Sequence, residues 1–144
     1  MSTYGYIALQ ETNYKPILDY EILTDIKDPA WLIDIYHAYC KHKQWDSVLP
    51  MFSGEFVDPR IECVTYKHEG KVVAWTMIRK LDDTVIDNMQ FCWDYANPKL
   101  KLGYKSIRTE CAIYRERGFT EMLIDTEMYY KTELQGYNVY GPVL

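Results

Sequence analysis

Lys99, Lys101, Lys105 and Arg108 surround Gly103 in a chain whose formal net charge is -5. The stretch from Met89 to Gly118 reads as a strand, a turn built around Gly103, and an amphipathic helix that stops at Gly118. A helix entrance presents free backbone N–H groups and the positive end of the helix dipole. It therefore suits an anion, pyrophosphate above all. Positive charge concentrated there in an acidic protein points the same way. A solvated loop and helix face would carry the same four charges, so the pattern names a class of ligand and leaves that second reading open.

Other chemistries lack their residues. His37, His42 and His68 have no metal-ligand spacing with Cys, Asp or Glu, and no metal is expected. The chain has no G-x-S-x-G, no Walker loop and no H-E-x-x-H, so hydrolase and nucleotidase readings find no support. Cys40, Cys63, Cys92 and Cys111 are widely spaced and form no C-x-x-C pair, which predicts buried free thiols in a reducing cytoplasm. Negative net charge disfavours a broad nucleic-acid surface. The longest apolar runs are too short to cross a bilayer, nothing at the N-terminus resembles a signal peptide, and no membrane role is expected.

The 144 residues are 48% apolar and 26% charged, which predicts one domain, residues 1–144, with a sizeable core. Tyrosine is abundant, with 14 residues; its apolar ring and polar tip suit a cleft wall or an interface. The exposed tyrosines and the final strand leave a homodimer contact open.

These residues need a frame. Tyr4–Leu9 reads as a first strand, and residues 10–27 are mixed, readable as a helix or as a lid. Asp28-Pro29 is a helix start, with Leu32, Ile35, Tyr36, Tyr39 and Cys40 following at helical spacing. A short second helix is expected over Trp45–Phe52. Ile61–His68, Val72–Lys80 and Thr84–Tyr95 are strands joined by the short turns Glu69-Gly70 and Asp82-Asp83, hence an antiparallel meander. In the helix after Gly103, Tyr104, Ile107, Cys111 and Tyr114 form one stripe, with Arg108, Glu110, Arg115 and Glu116 facing elsewhere. Glu121–Ile124 follows by a crossover and should lie parallel to Thr84–Tyr95. Thr126–Leu134 is expected as a helix and Tyr137–Val143 as a last strand. The fold class is α/β, a mixed central sheet with helices on both faces.

This order resembles the GNAT superfamily of acyl-CoA-dependent N-acetyltransferases. In that family the motif Q/R-x-x-G-x-G/A precedes a helix that ends at a glycine about fifteen residues later. Gly118 lies fifteen residues after Gly103, so the motif falls on Pro98-Lys99-Leu100-Lys101-Leu102-Gly103. Pro98 stands where Gln or Arg is expected and Lys101 where the first glycine is expected. The family's C-terminal Y-x-x-x-G-F is met only at Gly136-Tyr137, with Thr132 at the tyrosine position.

The resemblance implies acetyl-CoA or another acyl-CoA as co-substrate and a small-molecule or peptide amine as acceptor. The backbone of Phe91, Cys92 and Trp93 would hydrogen-bond the pantetheine arm like an added strand. Lys101, Leu102, Gly103, Tyr104 and Lys105 would hold the pyrophosphate. Asp87, expected to share a face with Met89 and Phe91, becomes the candidate base, with Asp94 further along the strand; Tyr130 becomes the candidate acid. Two alternatives accompany this reading. One is a binding or scaffold protein that keeps the fold without catalysis, with side chains such as Tyr104 or Trp93 filling the cleft. The other is an aminoacyl-tRNA-dependent transferase. The aminoacyl-tRNA–protein transferases share the fold and are similar at Trp93-Asp94, Leu102-Gly103 and Tyr130-Lys131.

Overall fold

The computed structural model of the chain describes residues 2–44, 54–94, 98–124 and 133–143. Seven strands form one sheet. They are β1 (Ser2–Ala8), β2 (Asp19–Leu23), β3 (Ile61–His68), β4 (Lys71–Lys80), β5 (Val85–Trp93), β6 (Glu121–Ile124) and β7 (Tyr137–Val143). Their spatial order is β2-β3-β4-β5-β6-β1-β7. The β3-β4-β5 meander is antiparallel, β5 and β6 are parallel, and β1 runs antiparallel to both β6 and β7. The first strand of the chain thus sits between the last two.

Local chemistry explains the joints. Glu69 (φ 53°) and Gly70 (φ 79°) supply the two positive φ angles that a tight hairpin between β3 and β4 requires. Asp82 Oδ1 accepts from the N–H groups of Thr84 and Val85, both at 2.7 Å, and so closes the β4–β5 turn.

Helix α1 (Ala30–Lys43) covers one face of the sheet, burying Leu32, Tyr36, Tyr39 and Cys40 against Cys63, Trp75, Met77 and Cys92. Pro29 takes its N-cap position, and no side chain there caps it. Helix α2 (Leu102–Glu116) covers the other face, with Ile107, Cys111 and Tyr114 against Val64, Tyr66, Ile78 and Ile86. Its end is a Schellman motif. Phe119 N–H donates to Tyr114 O at 3.0 Å, Gly118 N–H donates to Arg115 O at 3.0 Å, and Gly118 has φ 93°. The rings of Tyr114 and Phe119 then pack edge to face at 5.6 Å.

Residues 10–27 form no α-helix. After β1 the chain crosses the outer surface of α2 as an extended strap and enters β2 at the sheet edge. Arg115 Nη1 donates to Thr12 O at 2.7 Å and Nη2 to Tyr14 O at 2.8 Å. Further on, the N–H groups of Ile17 and Leu18 donate to Thr109 Oγ1 at 3.1 and 3.3 Å. The strap explains a second departure from the sequence pattern. Arg108 is expected on an open helix face but is only 7% exposed, beneath the strap's Tyr14. Glu110, also expected to face away from the core, is 1% exposed because it points into the sheet.

All four cysteines are free and buried. The helices expected over Trp45–Phe52 and Thr126–Leu134 fall wholly or mostly outside the described residues.

Candidate functional site

β5 and β6 pair only at Val85–Glu121, Ile86–Met122 and Asp87–Leu123. β5 then continues to Trp93, while β6 ends at Ile124. Beyond Asp87 the edge of β5 that faces β6 has no strand partner among the described residues; the V is this open edge beyond the last pair. Asp87 stands at its vertex. The crossover connection places the N-terminus of α2 at the mouth, near the C-terminal end of β5.

A β-bulge lies just past the vertex. Ile78 pairs with Asn88 and Met77 with Gln90, so Met89 is an extra residue in β5. The bulge corrects the expectation that Asp87 shares a face with both Met89 and Phe91. Asp87 lies opposite Arg79 on the α1 face, and Met89 packs into the α1-side core. Phe91, opposite Thr76, has switched to the α2-side core. Asp87 is half-buried, and burial raises its pKa above the ordinary carboxylate value, with Arg79 opposing. The buried Nε of Arg79 has no hydrogen-bond partner among the described residues.

Asp94 N–H donates to Val73 O at 2.7 Å, so by strand alternation Cys92 directs its backbone groups toward β4 while Phe91 and Trp93 direct theirs into the V. Cys92 therefore offers no backbone edge to a ligand, and its buried thiol sits beneath α1 with its pKa pushed up by desolvation. Phe91 O is already served by Gln90 Nε2 at 2.8 Å. Trp93 packs edge to face on Tyr39 of α1 at 5.0 Å. Tyr104, 51% exposed, lies flat on the Arg108 guanidinium at 3.5 Å. Trp93 packs against the cores on both faces of the sheet, and Phe91 also lies edge to face with Tyr39 at 6.4 Å.

At the mouth, Lys101 is the N-cap of α2 with φ 52° and makes no side-chain capping bond. The N–H groups of Leu102, Gly103 and Tyr104 open the helix, and Lys105 N–H closes its first turn onto Lys101 O at 3.1 Å. Leu102 is buried in the core, so it contributes backbone alone. Lys99 and Lys101 are exposed and Lys105 half-buried. Tyr130 lies outside the described residues.

No protein-family model matches the chain, and no curated protein matches it in sequence. Solved structures match throughout its length. The C-terminal domain of a putative lysylphosphatidylglycerol synthetase from Agrobacterium fabrum superposes with a TM-score of 0.63 at 12% identity, over 85% of this chain and 46% of that one. L-PGS from Bacillus licheniformis gives 0.64 at 12% identity, over 85% and 44%. A GCN5-related N-acetyltransferase from Anabaena variabilis gives 0.62 at 12% identity, over 96% and 38%. The fold is GNAT-like. The chain spans less than half the length of each of these neighbours.

Within the GNAT-like fold, the departures of the motif take on a structural meaning. Lys101 occupies the position of the first motif glycine, and it is the residue that adopts the left-handed backbone. Gly103 is an ordinary helical residue of the first turn.

Sequence reasoning missed a buried polar chain that runs from the vertex to Ser106, just past that first turn. Asn88 Nδ2 donates to Glu110 Oε1 at 2.7 Å, Tyr66 Oη–H donates to Glu110 Oε2, and Tyr66 Oη lies 3.3 Å from Ser106 O. An amide in mid-strand was the available signal, because Glu110 reads as facing away from the apolar stripe of α2.

Proposed function

We propose that the chain transfers an acyl group from an acyl-CoA thioester to an amine, by direct attack at the vertex between β5 and β6. The observation that carries the reading is the union of that V with an α2 entrance flanked by Lys99, Lys101 and Lys105. The entrance offers backbone N–H groups, a positive dipole end and three cations to a pyrophosphate. Phe91 and Trp93 offer backbone to the pantetheine arm once the Gln90 carboxamide swings off Phe91 O. The amine nitrogen bonds to the thioester carbon, its proton passes to the Asp87 carboxylate, and the C–S bond breaks. Tyr130 is the proposed donor of a proton to the departing thiolate. Raising the pKa of Asp87 by burial suits it to accept a proton nearer neutral pH.

A second reading, with an aminoacyl ester of tRNA as donor, is favoured by the two lysylphosphatidylglycerol synthetase-type neighbours. One calorimetric titration separates the two. Acetyl-CoA should bind with micromolar affinity, better than ATP, and Gly103→Trp, which sets an indole over the first turn, should weaken it about tenfold or more. Absence of binding at millimolar acetyl-CoA removes the acyl-CoA reading and leaves the aminoacyl donor or a non-catalytic scaffold.

A further inference from the structure

A second recess lies on the α1 side of the sheet and shares no lining residue with the V. It has a volume of about 410 Å³ and is lined by Trp31, Asp34, Ile35, Ala38, Lys71, Val72 and Asp94. The α1 residues form a continuous stripe at helical spacing. Lys71 and Val72 begin β4, and Asp94 follows β5. This volume falls in the range of small-molecule sites, which join an apolar floor to a few placed polar groups. Here Ile35, Ala38 and Val72 provide the floor. Trp31 is 42% exposed, a large ring left to water although α1 has an apolar core beside it.

We infer that this recess binds a small organic ammonium ion, an alkylamine or quaternary amine with an apolar stem. Charge decides the sign. Among the described lining residues, two carboxylates, Asp34 and Asp94, meet one ammonium, Lys71. Lys71 lies at 4.0 Å from Asp94 with its side chain 75% exposed, so water screens that pair. Asp34 has no ion-pair partner among the described residues. An ammonium ion set between Asp34 and the face of Trp31 gains both a charge partner and a cation–π contact, while its stem covers Ile35 and Val72. An anion would have to overcome both carboxylates.

The inference does not depend on the acyl-transfer reading, and its test needs no acyl donor. The intact chain is titrated calorimetrically with n-pentylammonium, with pentyltrimethylammonium, with neutral 1-pentanol and with anionic hexanoate. Both cations should bind with roughly millimolar dissociation constants, as ligands of this size do, and the alcohol and the carboxylate should bind about tenfold more weakly or not at all. Asp34→Asn and Trp31→Ala should each weaken the cations several-fold. Both positions are exposed, so neither change threatens folding. Lys71→Gln supplies the opposite sign, because removing the competing ammonium should tighten binding. Equal affinity for pentanol, a preference for hexanoate, looser binding in Lys71→Gln, or cation binding untouched by Asp34→Asn would each overturn the inference. So would no heat from either cation at about 10 mM ligand.

Discussion

Arg117→Ala tests how firmly α2, and with it the candidate anion site, is clamped to the sheet. Glu62 on β3 is 5% exposed. Its carboxylate accepts from Arg117 Nη1 at 2.6 Å and Nη2 at 3.0 Å, accepts from Tyr114 Oη at 2.8 Å, and has Lys80 Nζ at 3.7 Å. Burial pushes the Glu62 pKa up, but the bonds from Arg117 and Tyr114 outweigh it and hold the group below its ordinary value. Removing one partner of a buried pair costs about 3–5 kcal/mol. The Arg117 side chain is 37% exposed, so water screens the pair, and Lys80 remains after the substitution. The expected loss at neutral pH is therefore about 2 kcal/mol. For a domain of this size that lowers Tm by about 4–8 °C. Because the folded-state pKa of Glu62 is depressed, its stabilisation is complete above the unfolded-chain value, about 4.3, and fades as pH falls through the lower folded-state value. Urea denaturation of both proteins across this range measures the difference, and Glu62→Gln with the double variant closes a cycle. A neutral-pH loss under about 0.5 kcal/mol would refute the clamp. So would a loss that persists undiminished at about pH 2.

Three further outcomes follow from named contacts. Gly136 has φ +71°, and a Cβ there would stand 2.5 Å from Ala8 O, so Gly136→Ala should cost about 3 kcal/mol in thermal unfolding; a variant within about 1 kcal/mol of the parent shows that the β1–β7 junction yields. Tyr66→Phe removes a donor from the buried Glu110 carboxylate and should destabilise by about 1–3 kcal/mol in urea, whereas an unchanged midpoint would mean that Glu110 finds another donor. The Asp87 pKa is raised, so its ionised form opposes folding; Asp87→Asn should stabilise the protein above that raised value, make little difference below the unfolded value of about 3.9, and abolish the proposed transfer, and a fall in neutral-pH stability contradicts the sign.

The meander, the crossover and both described helices were legible because each is carried by a local pattern. Glu69-Gly70 fixes one hairpin, and Gly118 ends α2 as its spacing implies. β2 was not legible. Asp19–Leu23 is an edge strand with only its last two residues partly buried, so it lacks the alternation that marks a half-buried strand. The strap over α2 was invisible for a related reason. It is held by Arg115 and Thr109, whose partners lie about a hundred residues away, and no periodicity records such a contact.

The candidate site was legible at its mouth and illegible at its vertex, and the physics of the two parts explains the difference. The mouth depends on a helix start, a local event that glycine and lysine announce. The vertex depends on where β5 gains one residue against β4, and the side-chain alternation of Asp87, Met89 and Phe91 gives no hint of that. Asp87 and Asn88 precede the bulge and take opposite faces by ordinary alternation, Asp87 opposite Arg79 and Asn88 on the α2 side, bonded to Glu110. The bulge instead carries Phe91 to the α2 side, away from the face of Asp87. The Asn88–Glu110 network continues through Tyr66 to Ser106 near the N-terminal end of α2, and the Glu62 clamp fixes the helix at its other end. With both ends tied to β3, α2 has little freedom to re-aim its N-terminus. An anion held there is consequently held at a fixed distance from the vertex, which is what the proposed transfer between a long donor and an amine beside the half-buried Asp87 requires.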